Sequence, residues 1–376
     1  MMEGTGVRVA RPALEMFCRG VFQHFELSEG DAAVAASVLV AADAMGIVSH
    51  GVGRLGRYVE GLKTRLMLPD APVEIVMETP SSVVIDAHGA MGAPVSARAM
   101  RAAIEKARTN GSAFACVRDS NHFGIAGFYA RMALDEDMLG FAMTNTAALG
   151  VPTFGRLAMF GTNPLAFAAP ADEEEAFVLD MSTTVVPRGK LEVYDRLGEE
   201  LPDGWAVDKT GRSAKNARSV LEDMQNRVGG GILPLGGRGN AFGGHKGYGL
   251  AVMVDILCAV LCGAHSGTDV YDTPASYARV SHFFGAIKIS CFQDPRQFRR
   301  DMDTMLRSLR TSPQAEGEER VYYAGLPERE KEAESLRIGV PLSKKTYSGL
   351  SSIGRDCGVE VPPVLGAMED SRWSGA

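Results

Sequence analysis

The stretch Ala113-Phe-Ala-Cys-Val-Arg-Asp-Ser-Asn-His-Phe-Gly124 decides the fold. Its first half, Ala113–Arg118, is a short apolar run of the kind that forms a buried strand. The segment behind it, Gly124–Leu134, carries Phe128, Met132 and Leu134 at helical spacing. Between them, Asn121-His122-Phe123-Gly124 puts an imidazole at the exit of a strand. There the backbone fixes its position, a glycine lets a ligand approach, and a proton can be exchanged near neutral pH. A helix cap or a filled polar niche would use the same residues, so the rest of the chain has to decide.

Upstream the pattern is helical. Residues 1–10 read as a loose arm, and from Arg11 the positions Leu14, Phe17, Val21 and Phe22 recur at helical spacing. Ser28 with Asp31 resembles a capping box that opens a second helix, Asp31–Met45. A third helical pattern runs through Tyr58, Val59 and Leu62 to about Leu66, so this part reads as a helical unit without strands. Gly51-Val-Gly-Arg-Leu-Gly56 matches the dinucleotide fingerprint in letters only. An alanine-rich helix precedes it where a strand must feed the first glycine, so a Rossmann turn is rejected here.

Downstream of Pro69 and Pro72, strands and helices alternate. Val83–Asp86 reads as a strand, Gly92–Asn110 as an amphipathic helix, and further strand-like runs fall at Leu139–Met143, Leu165–Ala168, Phe177–Leu179 and Ala286–Cys291. Such alternation implies an α/β layered domain with ligands favoured at strand ends. Glycine density peaks over Gly229–Gly249, ahead of a helix at Leu250–Leu261. The free amides there, with Lys246, suit a phosphate or simply a flexible loop, and the absence of GK[ST] excludes a Walker loop. Arg296–Arg310 is a basic amphipathic helix, Glu328–Arg337 a short charged one, and residues after Pro362 read as a fraying tail. The expected organisation is a helical subdomain over 1–75, completed by C-terminal helices of about 296–376, and a cofactor-binding α/β domain over 76–295.

The chain's 376 residues suit one large or two ordinary domains, and 45% hydrophobic with 23% charged residues is the balance of a soluble globular protein. A net charge of −7 argues against a nucleic-acid surface and requires a local basic pocket for any anionic substrate. No apolar run approaches the ~18 residues of a membrane span, and the N-terminus lacks a signal-peptide core, so no membrane partner is expected. Six scattered cysteines without a CxxC pair read as small buried hydrophobes in a reducing cytoplasm. Neither HExxH nor a close His/Cys/Asp set marks a metal site, and no GxSxG marks a serine hydrolase.

Chemistry could come from three further places. In Ser49-His50-Gly51-Val-Gly-Arg54, a helical continuation would put His50 and Arg54 on one face. An arginine fork could then hold a carboxylate while a histidine exchanges a hydroxyl proton, or Arg54 could pair with Glu60 or another surface acid. Gly161-Thr162-Asn163-Pro164 offers short polar side chains at the start of a strand, as ordinary turns also do. Leu179-Asp-Met-Ser-Thr183 does the same at the end of one.

Taken in order, Ser49-His50-Gly51 with Arg54, Asn121–Gly124, Gly161–Pro164, Leu179–Thr183 with Arg188-Gly-Lys190, and Gly244-His-Lys-Gly-Tyr-Gly249 resemble the malate/L-lactate dehydrogenase family. This non-Rossmann group includes sulfolactate, ureidoglycolate and piperideine-2-carboxylate enzymes, and the resemblance runs from about Arg11 to about Pro341. It implies a three-layer α/β core on a mixed sheet, an N-terminal helical subdomain, and a homodimer. The activity implied is hydride transfer between a nicotinamide cofactor and an (S)-2-hydroxy acid such as malate. Reduction of a cyclic imino or diketo acid on the same fold is one alternative, and a nucleotide-binding protein without catalysis is another.

By the same resemblance His122 is the acid/base residue, with His50 beside it. Ser49, Arg54, Thr162 and Asn163 line the substrate pocket, Arg54 on the carboxylate. Thr146, Asp180, Met181, Ser182 and Lys246 contact the cofactor, with Gly325 near its far end. The cofactor expected is NAD, with NADP as the alternative, because no arginine is identifiable for a 2′-phosphate. Two departures stand out: Gly236–Gly244 separates Leu233-Pro-Leu235 from the His-Lys-Gly motif, and Ala324-Gly-Leu-Pro-Glu328 replaces a Pro-Gly-Glu contact.

Overall fold

A computed structural model describes residues 6–270 and 277–368. Along the chain lie β1 (Gly6–Val9), α1 (Arg11–His24), α2 (Glu29–Ala44), α3 (Leu55–Lys63), β2 (Glu74–Glu78), β3 (Ser82–Asp86), α4 (Gly92–Asn110) and β4 (Ser112–Ser120). Then come α5 (Ala126–Arg131), β5 (Met138–Thr144), β6 (Leu165–Ala169), β7 (Phe177–Met181), α6 (Arg188–Leu197), β8 (Ala206–Val207), α7 (Ala217–Asn226) and β9 (Gly231–Ile232). The last are α8 (Gly244–Cys258), β10 (Val280–Lys288), α9 (Pro295–Arg310), α10 (Leu326–Ile338), β11 (Val340–Ser343), α11 (Lys344–Cys357) and β12 (Val364–Met368).

The main sheet has seven strands in the order β2-β3-β4-β10-β5-β6-β7. Only β3 and β4 run parallel, Val83 facing Ala115 and Ile85 facing Val117, with α4 as the crossover between them. Alternation along the strands sorts the two faces. Ala115, Val117 and Phe284 point to the layer of α4 and α5, whereas Cys116 and Phe283 point to α8. The fold is therefore the mixed-sheet, three-layer α/β core expected from the sequence.

Local chemistry accounts for the element ends. The Ser28 hydroxyl accepts the Asp31 N–H at 3.2 Å and opens α2, and Gly111, at φ +83°, closes α4. The helices α1, α2, α3 and α11 bury their apolar faces in the same continuous core as one face of the sheet. Residues 185–232 carry a separate small core around Leu191, Leu201, Val220 and Ile232.

Several expectations need correction. The N-terminal arm is not loose from Gly6 on, because β1 pairs with both β11 and β12, and the tail after Pro362 supplies β12. Residues 1–5 and 369–376 lie outside the described residues. Helix α9 does not join the N-terminal helices. Its stripe of Met302 and Leu306 packs on Ala169, Ala171 and Tyr323 beside the main sheet. The strand placed at Ala286–Cys291 starts earlier, at Val280, and the glycine-rich region turns helical at Gly244, six residues before Leu250. Gly244–Cys262 is also a 19-residue helical stretch of mean hydropathy 1.5, long and apolar enough to cross a membrane, contrary to the expectation. Here one face of it packs against β4, β5 and β10, and 39% of its most apolar 18 residues are buried.

Candidate active site

The end of β4 is held from below. The Asn121 side-chain amide donates to the carbonyls of Gly89 at 2.8 Å and Ala90 at 3.1 Å. Phe123 stacks on the buried His282 with centroids 4.6 Å apart. His282 lies between Thr144 Oγ1 at 2.8 Å and Ser120 Oγ at 3.0 Å, and burial pushes its pKa down to about 3, so it is a neutral core residue. Gly124 has φ +89°, and a Cβ there would meet Val38 Cγ1 at 2.2 Å, so only glycine lets the chain turn against α2.

His122 emerges from this support half-buried. Its Nδ1 lies 2.6 Å from the Tyr58 hydroxyl of α3 and 3.3 Å from the Gly124 N–H. The ring stacks on His50, with centroids 5.5 Å apart and planes 19° from parallel. Two single-turn helices, Val48–His50 and Val52–Arg54, carry the second histidine and the arginine. Within them the His50 Nδ1 is 2.9 Å from Ser49 Oγ, and the Arg54 Nε donates to the Ser49 carbonyl at 2.7 Å.

Asp43 fixes these turns to α2, its carboxylate accepting the Val52 N–H at 2.6 Å. A Cβ at Gly51 would fall 2.1 Å from that carboxyl group. The expected helical continuation is thus replaced by two tight turns, yet Ser49, His50, Arg54 and His122 still converge.

Electrostatics keep both imidazoles neutral at pH 7. Burial, followed by the charge of Arg54, pushes His50 down to about 4. Burial holds His122 well below its ordinary value, and His50, Arg57 and Arg54 act in the same direction. Arg188 and Glu192 of α6 also contribute to the field at Arg54. A neutral, proton-exchanging ring beside a guanidinium is suited to a substrate that carries a carboxylate next to a hydroxyl or carbonyl.

Beyond these loops opens a cavity of about 630 Å³, within the range of cofactor pockets, whose walls include Ile47, Ile125, Gly127, Asp180 and Gly325. Asp180 stands at the end of β7 and accepts the Gly127 N–H at 2.7 Å. Burial pushes its carboxyl up to about 6; the Gly127 bond opposes this and the charge of Glu328 adds to it. Gly325, at φ +94°, caps α10, and a Cβ there would meet the Val178 backbone at 2.9 Å. Asp180 and Gly325, far apart in sequence, thus face one cavity that adjoins both histidine loops.

Other expected residues lie elsewhere. The Asn163 side chain is engaged within the fold. It is fully buried at φ +35°, donates to the Ala251 carbonyl at 2.9 Å and Asp255 Oδ2 at 3.0 Å, and accepts the Thr146 N–H at 3.2 Å. It pins α8 to the loops that flank β5 and β6. Thr162 and Thr146 join that knot, hydroxyl to hydroxyl at 3.3 Å, and the Ser182 hydroxyl turns to the Thr184 carbonyl at 3.0 Å. Thr146, Met181, Ser182 and Lys246 do not line the cavity; Lys246 is exposed in the first turn of α8, across the sheet from α5.

Sequence reasoning missed Tyr58, taken as an apolar position of α3, and Asp43. A signal existed for Asp43, because it is the single ionisable residue of α2 after Asp31.

The profile of the family described as malate/L-lactate dehydrogenase matches residues 9–351. A malate dehydrogenase of Pyrococcus abyssi is 41% identical over 354 residues, spanning 94% of this chain and 96% of its own. An L-sulfolactate dehydrogenase of Methanocaldococcus jannaschii is 36% identical over 91% of this chain and 94% of its own. Among solved structures, a malate dehydrogenase from Entamoeba histolytica superposes with a TM-score of 0.91 at 30% identity, covering 95% of this chain and all of that one.

Proposed function

The chain belongs to the malate/L-lactate dehydrogenase family, and from that premise we propose that it interconverts an (S)-2-hydroxy acid of malate type and the corresponding 2-oxo acid with a nicotinamide cofactor. The observation that carries this reading is the convergence of His122, His50 and Arg54 beside a cavity walled by Asp180, Gly127 and Gly325. When bound, the cofactor supplies or accepts the hydride. His122 holds the proton exchanged with the substrate oxygen, Arg54 binds the substrate carboxylate, and Ser49 with His50 forms the adjoining wall. Asp180 and Gly325 receive the cofactor.

NAD is the form we propose. Three arginines of the cavity wall are already committed: Arg131 to Glu332 at 3.1 Å, Arg299 to Asp137 at 2.7 Å, and Arg329 to Glu175 at 3.0 Å. That arrangement suits a ribose without a 2′-phosphate. A homodimer is supported by the apolar side chains that α8 and the turn after it leave exposed: Met253, Ile256, Val260 and Leu261. The described cysteines are all free thiols, as suits the cytoplasm.

The test is a spectrophotometric screen of 2-hydroxy acids with NAD and NADP, and of 2-oxo and 2-imino acids with the reduced cofactors. Turnover of malate or oxaloacetate supports the reading. Turnover confined to cyclic imino acids would replace the substrate, and none in either direction would overturn the proposal.

A further inference from the structure

The contacts of one ring nitrogen specify which tautomer His122 adopts. Its Nδ1 is approached by two groups, the Tyr58 hydroxyl at 2.6 Å and the Gly124 backbone N–H at 3.3 Å. A backbone N–H can only donate, so Nδ1 presents its lone pair. The hydroxyl facing that lone pair must then donate as well. Tyr58 is buried, and among the described residues its O–H has no other hydrogen-bond partner, so turning away would leave it unpaired in the core. The other nitrogen, Nε2, has no protein partner among the described residues.

We propose that Tyr58 is a positioning residue that, together with the Gly124 N–H, locks His122 as the Nε2–H tautomer, so that the free enzyme presents a hydrogen-bond donor, matched to the oxygen of a 2-oxo acid. Two features reinforce the lock. The phenol ring is held edge-on to Phe22 with centroids 6.3 Å apart, which fixes where the hydroxyl points. A Cβ at position 124 would fall 2.2 Å from Val38 Cγ1, so the N–H that faces Nδ1 belongs to a position that only glycine fills. An imidazolium would turn an N–H toward the Gly124 N–H, so the same geometry selects the neutral ring. A neutral imidazole that polarises a carbonyl is established chemistry for an enzyme, and a histidine held in the wrong tautomer loses most of its catalytic value.

This inference rests on the reading of His122 as the group that meets the substrate oxygen, and its test separates the two. The nitrogen-15 spectrum of the histidine rings, recorded on the full chain without cofactor or substrate near pH 7.5, reads the tautomer directly, with His122→Asn identifying the signals. A protonated Nε2 and a bare Nδ1 are expected; a proton on Nδ1 overturns the proposal. Tyr58→Phe keeps the ring and removes the donor. It should weaken the Nε2–H preference and lower kcat for reduction roughly 10–100-fold, short of the ~10²–10⁴-fold loss expected when His122 itself is removed. KM should stay within about twofold, because the hydroxyl acts through His122 and not on bound substrate. An unchanged tautomer with unchanged kcat overturns the role of Tyr58. Absence of turnover in the wild type would overturn the assigned reaction and leave the nitrogen spectrum to decide the tautomer.

Discussion

At the scale of single residues the site works by keeping ionisable groups neutral. His122 and His50 stack face to face, which two imidazolium rings would not tolerate, and their depressed pKa values follow from burial and from Arg54. Replacement of His122 by alanine is expected to lower kcat by ~10²–10⁴-fold with the cofactor still bound, measured by turnover and calorimetry together. Arg54→Lys exchanges a fork for a point charge and should raise KM for the acid about tenfold with less effect on kcat. Asp43 supplies a pH signature. Its carboxyl is pushed from an ordinary value of 3.8 up to about 7 by burial, with the Val52 N–H opposing. The native state therefore holds a proton that the unfolded chain has released, and the stability from this group is lost as pH rises through about 7. Asn at position 43 keeps an acceptor for Val52 and cannot ionise. The melting temperature of Asp43→Asn relative to wild type should thus climb between about pH 4 and pH 7 and level off above, and a gap that is flat in pH would contradict the raised carboxyl.

At the scale of elements, the site is made where ends meet. The exit of β4 presents His122, the turns after α2 present His50 and Arg54, and the N-terminus of α5 meets the end of β7 through Gly127 and Asp180. A Cβ at Gly127 would stand 3.0 Å from Asp180 Oδ2 and 3.2 Å from Asp180 Cβ. Gly127→Ala should therefore displace the carboxylate and weaken cofactor binding, each tenfold in Kd corresponding to ~1.4 kcal/mol, while the secondary structure by circular dichroism stays the same. Unaltered cofactor affinity would detach Asp180 from the cofactor. The elements themselves were largely legible. Gly92–Asn110 carried an apolar face of helical period and closed at a glycine, and Val83–Asp86 was a β-branched run. β2 was not legible, because all of Glu74–Glu78 is exposed at the sheet edge and carries no burial pattern to read.

At the scale of the whole molecule, distant segments close on one another. Glu332 of α10 receives Arg11 of α1 at 3.1 Å, Arg131 of α5 at 3.1 Å and Arg329 at 3.0 Å, which ties both ends of the chain to the cavity wall. On the opposite side of the sheet the apolar stripe of α8 stays uncovered. If it is the dimer face, Ile256→Asp, at a position half exposed, should yield monomers by analytical ultracentrifugation. A variant sedimenting with the wild-type mass would place the interface elsewhere.

The sequence by itself determined the layered α/β class, the rejection of a Rossmann turn at Gly51–Gly56, and the family, because periodicity, capping residues and short motifs are written in neighbouring positions. It also singled out His122, His50 and Arg54, whose local contexts were distinctive. Only the tertiary structure could join Tyr58 to His122, separated by 64 positions, or Gly325 to Asp180 across one cavity. It also showed Asn163 buried and bonded to Asp255 of α8. Hydrogen bonds and burial depend on which segments the core brings together, and no local pattern records a partner supplied by another layer of the fold.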